Sequence, residues 1–314
     1  MRRLAYTSGS AAAAGAWQQQ LRSELARALH LDDLFAEAGS LTFDQELVWA
    51  EEREGYTFQE LEVNATPARR IRILQSLPAP PVPRPVAANG MTPRETDAVA
   101  ATSLPAVVCI HGHGGDRTSV YDPESIYRGF ARQLAASGYA TIATDVGQHE
   151  VGERGRTLMG ERLWDLIRCI DYVQQLPEVQ GTRVGCAGLS LGGEMAMWLG
   201  AMDERVAATF SAGFLTTMDQ LEQNHCRCWE FDGLRELADW ADIYSLIAPR
   251  ALTCQNGLAE TPTQFYVPIA RQAMTEIEVI YADLDHPERV KLDVHEGGHE
   301  IELSSLEEFF ASHL

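Results

Sequence analysis

The chain has 314 residues, room for one α/β domain with additions, and its 45% hydrophobic and 22% charged composition excludes a disordered, fibrous or disulfide-stapled protein. A formal net charge of −20 counts against nucleic acid or an anionic membrane as main partner, because both recruit Lys and Arg. No run approaches the roughly 18 apolar residues of a spanning helix, and the six scattered cysteines read as thiols of a reducing, cytoplasmic setting.

Residues 1–16 lack the apolar stretch of a secretory signal and read as a disordered tail ahead of a single domain over 17–314. Apolar residues then recur at helical spacing (Trp17, Leu21, Leu25, Leu29), which predicts a helical extension over 17–40 packed on the main body. An exposed helix of this kind serves either to pair two copies as a homodimer or to pack within the chain. Residues 51–63 and 69–75 read as two strands of a hairpin-like unit. The stretch from Pro78 to Leu104, with Pro80, Pro81, Pro83 and Pro85, reads as a solvated loop.

Beyond it the pattern alternates. Strands are expected over 106–110, 139–144, 183–188, 206–211, 250–255 and 290–296, with helices over 127–137, 158–176 and 191–202. That rhythm predicts an α/β fold, a mainly parallel sheet covered by helices on both faces. Residues 214–248 break it and read as a lid-like insertion over the C-terminal edge of the sheet.

Two glycine-rich turns carry the chemistry. Gly188-Leu189-Ser190-Leu191-Gly192 places a serine on a sharp strand-to-helix turn, with glycines where a Cβ would collide. Such a turn aims the hydroxyl outward and frees the Leu191 amide, at a helix N-terminus, to bind an oxyanion. Upstream, His111-Gly112-His113-Gly114-Gly115 follows an apolar strand, and a second amide is expected from His113, with Gly114 next. A general base should come from a loop at the same sheet edge. His299, in Glu296-Gly297-Gly298-His299-Glu300 after the last strand, fits this, with His295 as fallback. The acid belongs in the loop after strand 250–255, where Glu260 is the candidate and Asp242 and Asp283 are the alternatives.

These features resemble the dienelactone-hydrolase-like and acetyl-esterase-like branch of the α/β-hydrolase superfamily. The resemblance runs from about Arg69 to the C-terminus. It is strongest over Cys109–Gly115, Val184–Glu194, His225–Gly257 and Glu296–His299, and the third stretch is similar to bacterial acetylxylan-esterase-like hydrolases. It implies an α/β-hydrolase fold and hydrolysis of a small-molecule carboxyl ester through an acyl-enzyme, with no cofactor. Two departures stand out: members usually carry Asp where this chain has Glu260, and dienelactone hydrolases proper use Cys where it has Ser190.

His225, Cys226 and Cys228 invite a metal reading, but the cysteines are spaced too tightly for a common zinc motif and no second Cys/His pair is evident. A structural role is expected there, with no metal. Phe214, Leu215, Trp229 and Trp240 in the insertion are read either as the wall of an acyl or alcohol pocket or as core packing. Acetylxylan or other sugar-ester deacetylation is a narrower version of the esterase reading. A prolyl-oligopeptidase-like peptidase is an alternative enzyme, and a non-catalytic hydrolase-like binding protein is the alternative outside enzymes.

Overall fold

The computed structural model describes residues 2–7, 9–53, 55–79 and 103–314. Most of the proline-rich segment after Pro78, expected as a solvated loop, therefore lies outside the described residues. Within them, nine strands form one sheet in the order β1-β2-β3-β5-β4-β6-β7-β8-β9. The strands are β1 (Glu46–Arg53), β2 (Tyr56–Thr66), β3 (Arg69–Pro78), β4 (Leu104–Ile110), β5 (Ala140–Thr144), β6 (Val179–Leu189), β7 (Val206–Ala212), β8 (Ala251–Gly257) and β9 (Val290–His295). From β5 to β9 every neighbour is parallel, whereas β1 to β3 form an antiparallel meander joined to β5. The run expected as one strand over 51–63 is two, β1 and β2.

The central strands are buried on both faces, so they read as continuous apolar runs rather than alternating ones. In β4, Ala106, Val108 and Ile110 join one core, and Val107 and Cys109 join the other. The first core lies under α1 (Ala11–Ala28), α2 (Asp32–Glu37), α4 (Leu158–Val173), α5 (Leu191–Met202), α6 (Met218–Asn224), α7 (Leu234–Leu237), α8 (Trp240–Ser245) and α9 (Val267–Asp283). The second lies under α3 (Phe130–Ala136) and α10 (Leu303–His313). Helix α5, just behind the sharp turn, is buried along its whole length.

The N-terminus departs from the expected tail. Ser10 caps α1 by accepting from the Ala13 amide, so the run Ala11–Ala14 starts the helix instead of preceding it. Leu4 is buried, the Tyr6 amide donates to Asp242, and Arg2 pairs with the same carboxylate at 3.1 Å. The apolar face of α1 is used inside the chain: Gln18 donates to the carbonyls of Ser245 and Ala248, and Arg22 donates to that of Ala201.

Candidate active site

The chemistry-bearing residues converge at the C-terminal ends of the parallel strands, where loops can approach one another without interrupting the ladder. Ser190 sits between β6 and α5 with φ 63° and ψ −125°, a backbone state that non-glycine residues avoid. The flanking glycines explain how it persists. A Cβ on Gly188 would come within 2.2 Å of the Gly192 carbonyl oxygen, and one on Gly192 within 2.2 Å of the Ile110 carbonyl oxygen. The turn is held from outside as well, because the Ser190 amide donates to the Ala212 carbonyl at the end of β7.

His299 approaches from the loop after β9. Its ring lies against Gly213, the residue directly after Ala212: a Cβ there would stand 2.9 Å from the imidazole Cε1. Gly213 also has a positive φ of 56°, so the backbone that admits the ring is one a larger residue would strain. The other side of the imidazole is fixed by Glu260, whose Oε1 accepts from Nδ1 at 2.6 Å. Glu260 follows β8 and is buried, while His299 is partly exposed. A carboxylate only accepts, so Nδ1 carries the proton of this bond and Nε2 is the ring nitrogen outside it. Phe265, which periodicity did not single out, stacks on the His299 ring at 5.3 Å between centroids and an angle of 15°.

The alternatives lie elsewhere. Asp242 completes a capping box with Asp239 at the start of α8, and Asp283 accepts from the Tyr6 hydroxyl and the Gly9 amide. His295 accepts through Nδ1 from the Gly297 amide.

In the loop after β4 the donors divide. The Gly112 amide donates to the Tyr127 hydroxyl at 2.6 Å, and the Gly115 amide turns back to the Gly112 carbonyl. Among the described residues no partner takes the amides of His113 or Gly114. His111 staples this loop to the one after β5: its Nε2 accepts from the Val146 amide at 3.0 Å, which leaves Nδ1–H to donate to the Gly112 carbonyl at 2.8 Å. Burial holds the His111 ring below its usual range, and so neutral. Tyr127 was not expected at the site; its signal is a tyrosine 15 positions after Gly112, which no local rule connects to it.

The residues offered as a pocket wall do not line one. Phe214, Leu215, Trp229 and Trp240 are each no more than 2% exposed and belong to the core between the insertion and α5. Trp240 meets Phe214, Trp229 and Trp198 edge-on at 5.3, 5.4 and 6.4 Å. The packing reading of these four therefore replaces the pocket reading.

The Cys226/Cys228 pair has different neighbours from those expected. His225 turns toward Phe265, at 5.0 Å between ring centroids. In its place His113 and His149 meet the cysteines, and the four ligand atoms all lie within 4.8 Å of one another. These are the described side chains able to hold a metal ion.

The α/β-hydrolase-fold family model matches residues 105–227. Over 205 residues the chain is 26% identical to YtaP of Bacillus subtilis (strain 168), named only provisionally as a hydrolase, covering 57% of this chain and 67% of that one. Among solved structures, a provisionally assigned acetyl xylan esterase of Bacteroides fragilis superposes with a TM-score of 0.71 at 18% identity, covering 93% of this chain and 78% of that one. A glucuronoyl esterase of Solibacter usitatus gives 0.63 at 16% identity, over 86% and 85% of the two chains. Parallel sheet, two helical layers and strand-to-helix serine turn make this chain an α/β-hydrolase-fold protein, similar to these esterases in architecture.

Proposed function

We propose that the chain is a serine carboxylesterase that works through an acyl-enzyme, with Ser190 as nucleophile, His299 as base and Glu260 as orienting acid. The observation that carries the reading is the 2.6 Å bond from His299 Nδ1 to a buried Glu260, made beside a serine held in a strained turn.

His299 Nε2 takes the Ser190 proton as Oγ attacks the ester carbonyl, and Glu260 stabilises the imidazolium that forms. The oxyanion is received by the amide of Leu191 and that of His113 or Gly114, fixed dipoles that need no reorganisation during reaction. Collapse of the tetrahedral intermediate breaks the ester C–O bond, and the imidazolium returns the proton to the leaving alcohol. Water, deprotonated by the same imidazole, then releases the acid and restores Ser190. No step calls for a cofactor. Among esters, those with a sugar on the alcohol or the acyl side are the favoured class, because the similar structures bear names for acetyl xylan and glucuronoyl esterases.

The test is hydrolysis of a p-nitrophenyl ester series from acetate to decanoate alongside acetylated sugars, with Ser190→Ala as control. Hydrolysis that disappears in the variant, together with fluorophosphonate labelling of native protein only, is the expected outcome. Native protein that labels but turns over no ester would return the chain to the peptidase reading, and protein that does neither would return it to the non-catalytic one.

A further inference from the structure

We propose that His113, His149, Cys226 and Cys228 form a Cys2His2 site for a zinc ion, which ties the oxyanion loop to the insertion. The four ligand atoms already cluster closely enough to surround one ion. His113 Nε2 lies 3.1 Å from Cys228 Sγ, and His149 Nε2 lies 3.3 Å from Cys226 Sγ. Zinc bonds of about 2.1 Å to nitrogen and 2.3 Å to sulfur place neighbouring tetrahedral ligands about 3.3–3.8 Å apart. The His149–Cys226 pair meets the lower end of that spacing, the His113–Cys228 pair is slightly closer, and no pair in the set exceeds 4.8 Å. Small side-chain rotations close the rest.

The donor chemistry selects the ion. Two thiols and two imidazoles, with no carboxylate, suit zinc and reject magnesium or calcium. Both cysteines are free of disulfides, and on giving up their protons to a bound metal the two sulfurs together balance the charge of a divalent cation. A separate feature points at the sulfur: Arg162, fully buried in α4, sends Nη1 to Cys228 Sγ at 3.4 Å. A buried guanidinium donating to a sulfur is the outer support that a metal-bound thiolate uses.

Four protein ligands leave no open position, so the ion is structural and takes no part in the attack on the ester. Its effect is mechanical. The ligands come from three loops, after β4, after β5 and after α6, and His113 carries one of the two amides of its loop that no described residue engages. Bound zinc would hold that residue in place, while an empty site leaves the loop to the contacts of Tyr127, His111 and Arg117.

Metal content of full-length protein purified under reducing conditions and offered zinc, then dialysed, tests this directly. The expected result is about one zinc per native chain and less than about 0.1 in Cys228→Ser/His149→Ala, with Ser190→Ala still loaded. Cobalt offered to the metal-free protein should give the intense visible and thiolate charge-transfer bands of a tetrahedral site. The exposed single variant Cys226→Ser, checked by circular dichroism, guards against a double variant that simply fails to fold. Native protein that takes up no zinc, or variants that keep it, or a Cys226–Cys228 disulfide persisting in reducing buffer, would overturn the site. Because Ser190→Ala should load fully, failure of the zinc site and failure of the esterase reading remain separate results.

Discussion

The two sides of the site are held by different forces. On the nucleophile side, Gly188 and Gly192 sit against backbone atoms too close to admit a side chain, Ser190 is held between them in its strained turn, and Glu260 locks His299 with one buried hydrogen bond. On the insertion side, position comes from side chains: aromatic rings packed edge to face around Trp240, and polar ends of three loops meeting at Cys228. The first arrangement is intolerant of added volume. The second stabilises broadly but places the loops only through what their tips hold. Substitutions on the nucleophile side should therefore cost chemistry, and substitutions in the insertion should cost stability.

The largest expected effect is at Glu260. Glu260→Gln keeps the shape but lets an amide present the wrong hydrogen-bonding partner to Nδ1, so kcat for ester hydrolysis should fall about 10³–10⁴-fold. The melting temperature should move little. Stopped-flow or steady-state kinetics beside a thermal melt would separate the two, and near-normal turnover would remove Glu260 from the machinery.

Trp240→Ala should do the reverse. It empties a site that is 0% exposed, for a loss of about 3–5 kcal/mol in denaturant-monitored stability. The KM of the folded fraction should stay within about twofold, since the ring reaches no substrate. A KM change much larger than the stability loss explains would restore the pocket reading of the insertion.

Much of the nucleophile side is legible in the sequence because its constraints act over a few residues. A strand, two glycines and a serine between them can be read from local spacing, and His299 follows from its loop after the last strand. The insertion side is not legible in this way. Nothing in the spacing of His113 and His149 announces that they meet Cys226 and Cys228, because the loops after β4 and β5 are brought side by side only by the sheet order. Trp229 and Trp240 show the opposite failure: an apolar residue near a site gives one signal whether it lines a cavity or fills a core. At the N-terminus small residues such as Ala11–Ala14 suit a tail and a helix start equally, and the Ser10 hydroxyl decides between them by capping the helix.

Glu194 lies between the two sides, on α5 four residues after the nucleophile, and tests where one ends. Burial pushes its carboxyl up to about 8, against the opposing pull of the Arg162 charge. A raised value means the folded state holds the proton more tightly than the unfolded chain. The stability this contributes is complete below the ordinary value of 4.5 and is lost as pH rises through about 8. Wild type should therefore lose about 1–3 kcal/mol relative to Glu194→Gln between pH 5 and pH 8, read from urea midpoints at each pH. A pH-independent difference would mean that Arg162 keeps Glu194 ionised, joining the carboxylate to the charged cluster at Cys228.

The smallest effect expected is at Tyr127, and it probes whether the oxyanion loop belongs to the rigid side. The Tyr127 hydroxyl accepts the Gly112 amide at 2.6 Å from a largely buried position, one residue before the amide of His113. Tyr127→Phe keeps the ring and removes only that acceptor, leaving a buried N–H without a partner at a cost of about 1–3 kcal/mol. The loop can recover part of this by rotating the Gly112 peptide, which swings the His113 amide away from the nucleophile turn. Because that amide acts on charge that develops only during reaction, the loss should appear as a roughly tenfold drop in kcat with KM unchanged. If zinc holds His113 from the other side, the drop should deepen when the metal is stripped from Tyr127→Phe, since loop restraint is then lost at both ends. Equal losses with and without metal would mean that Tyr127 alone sets the loop.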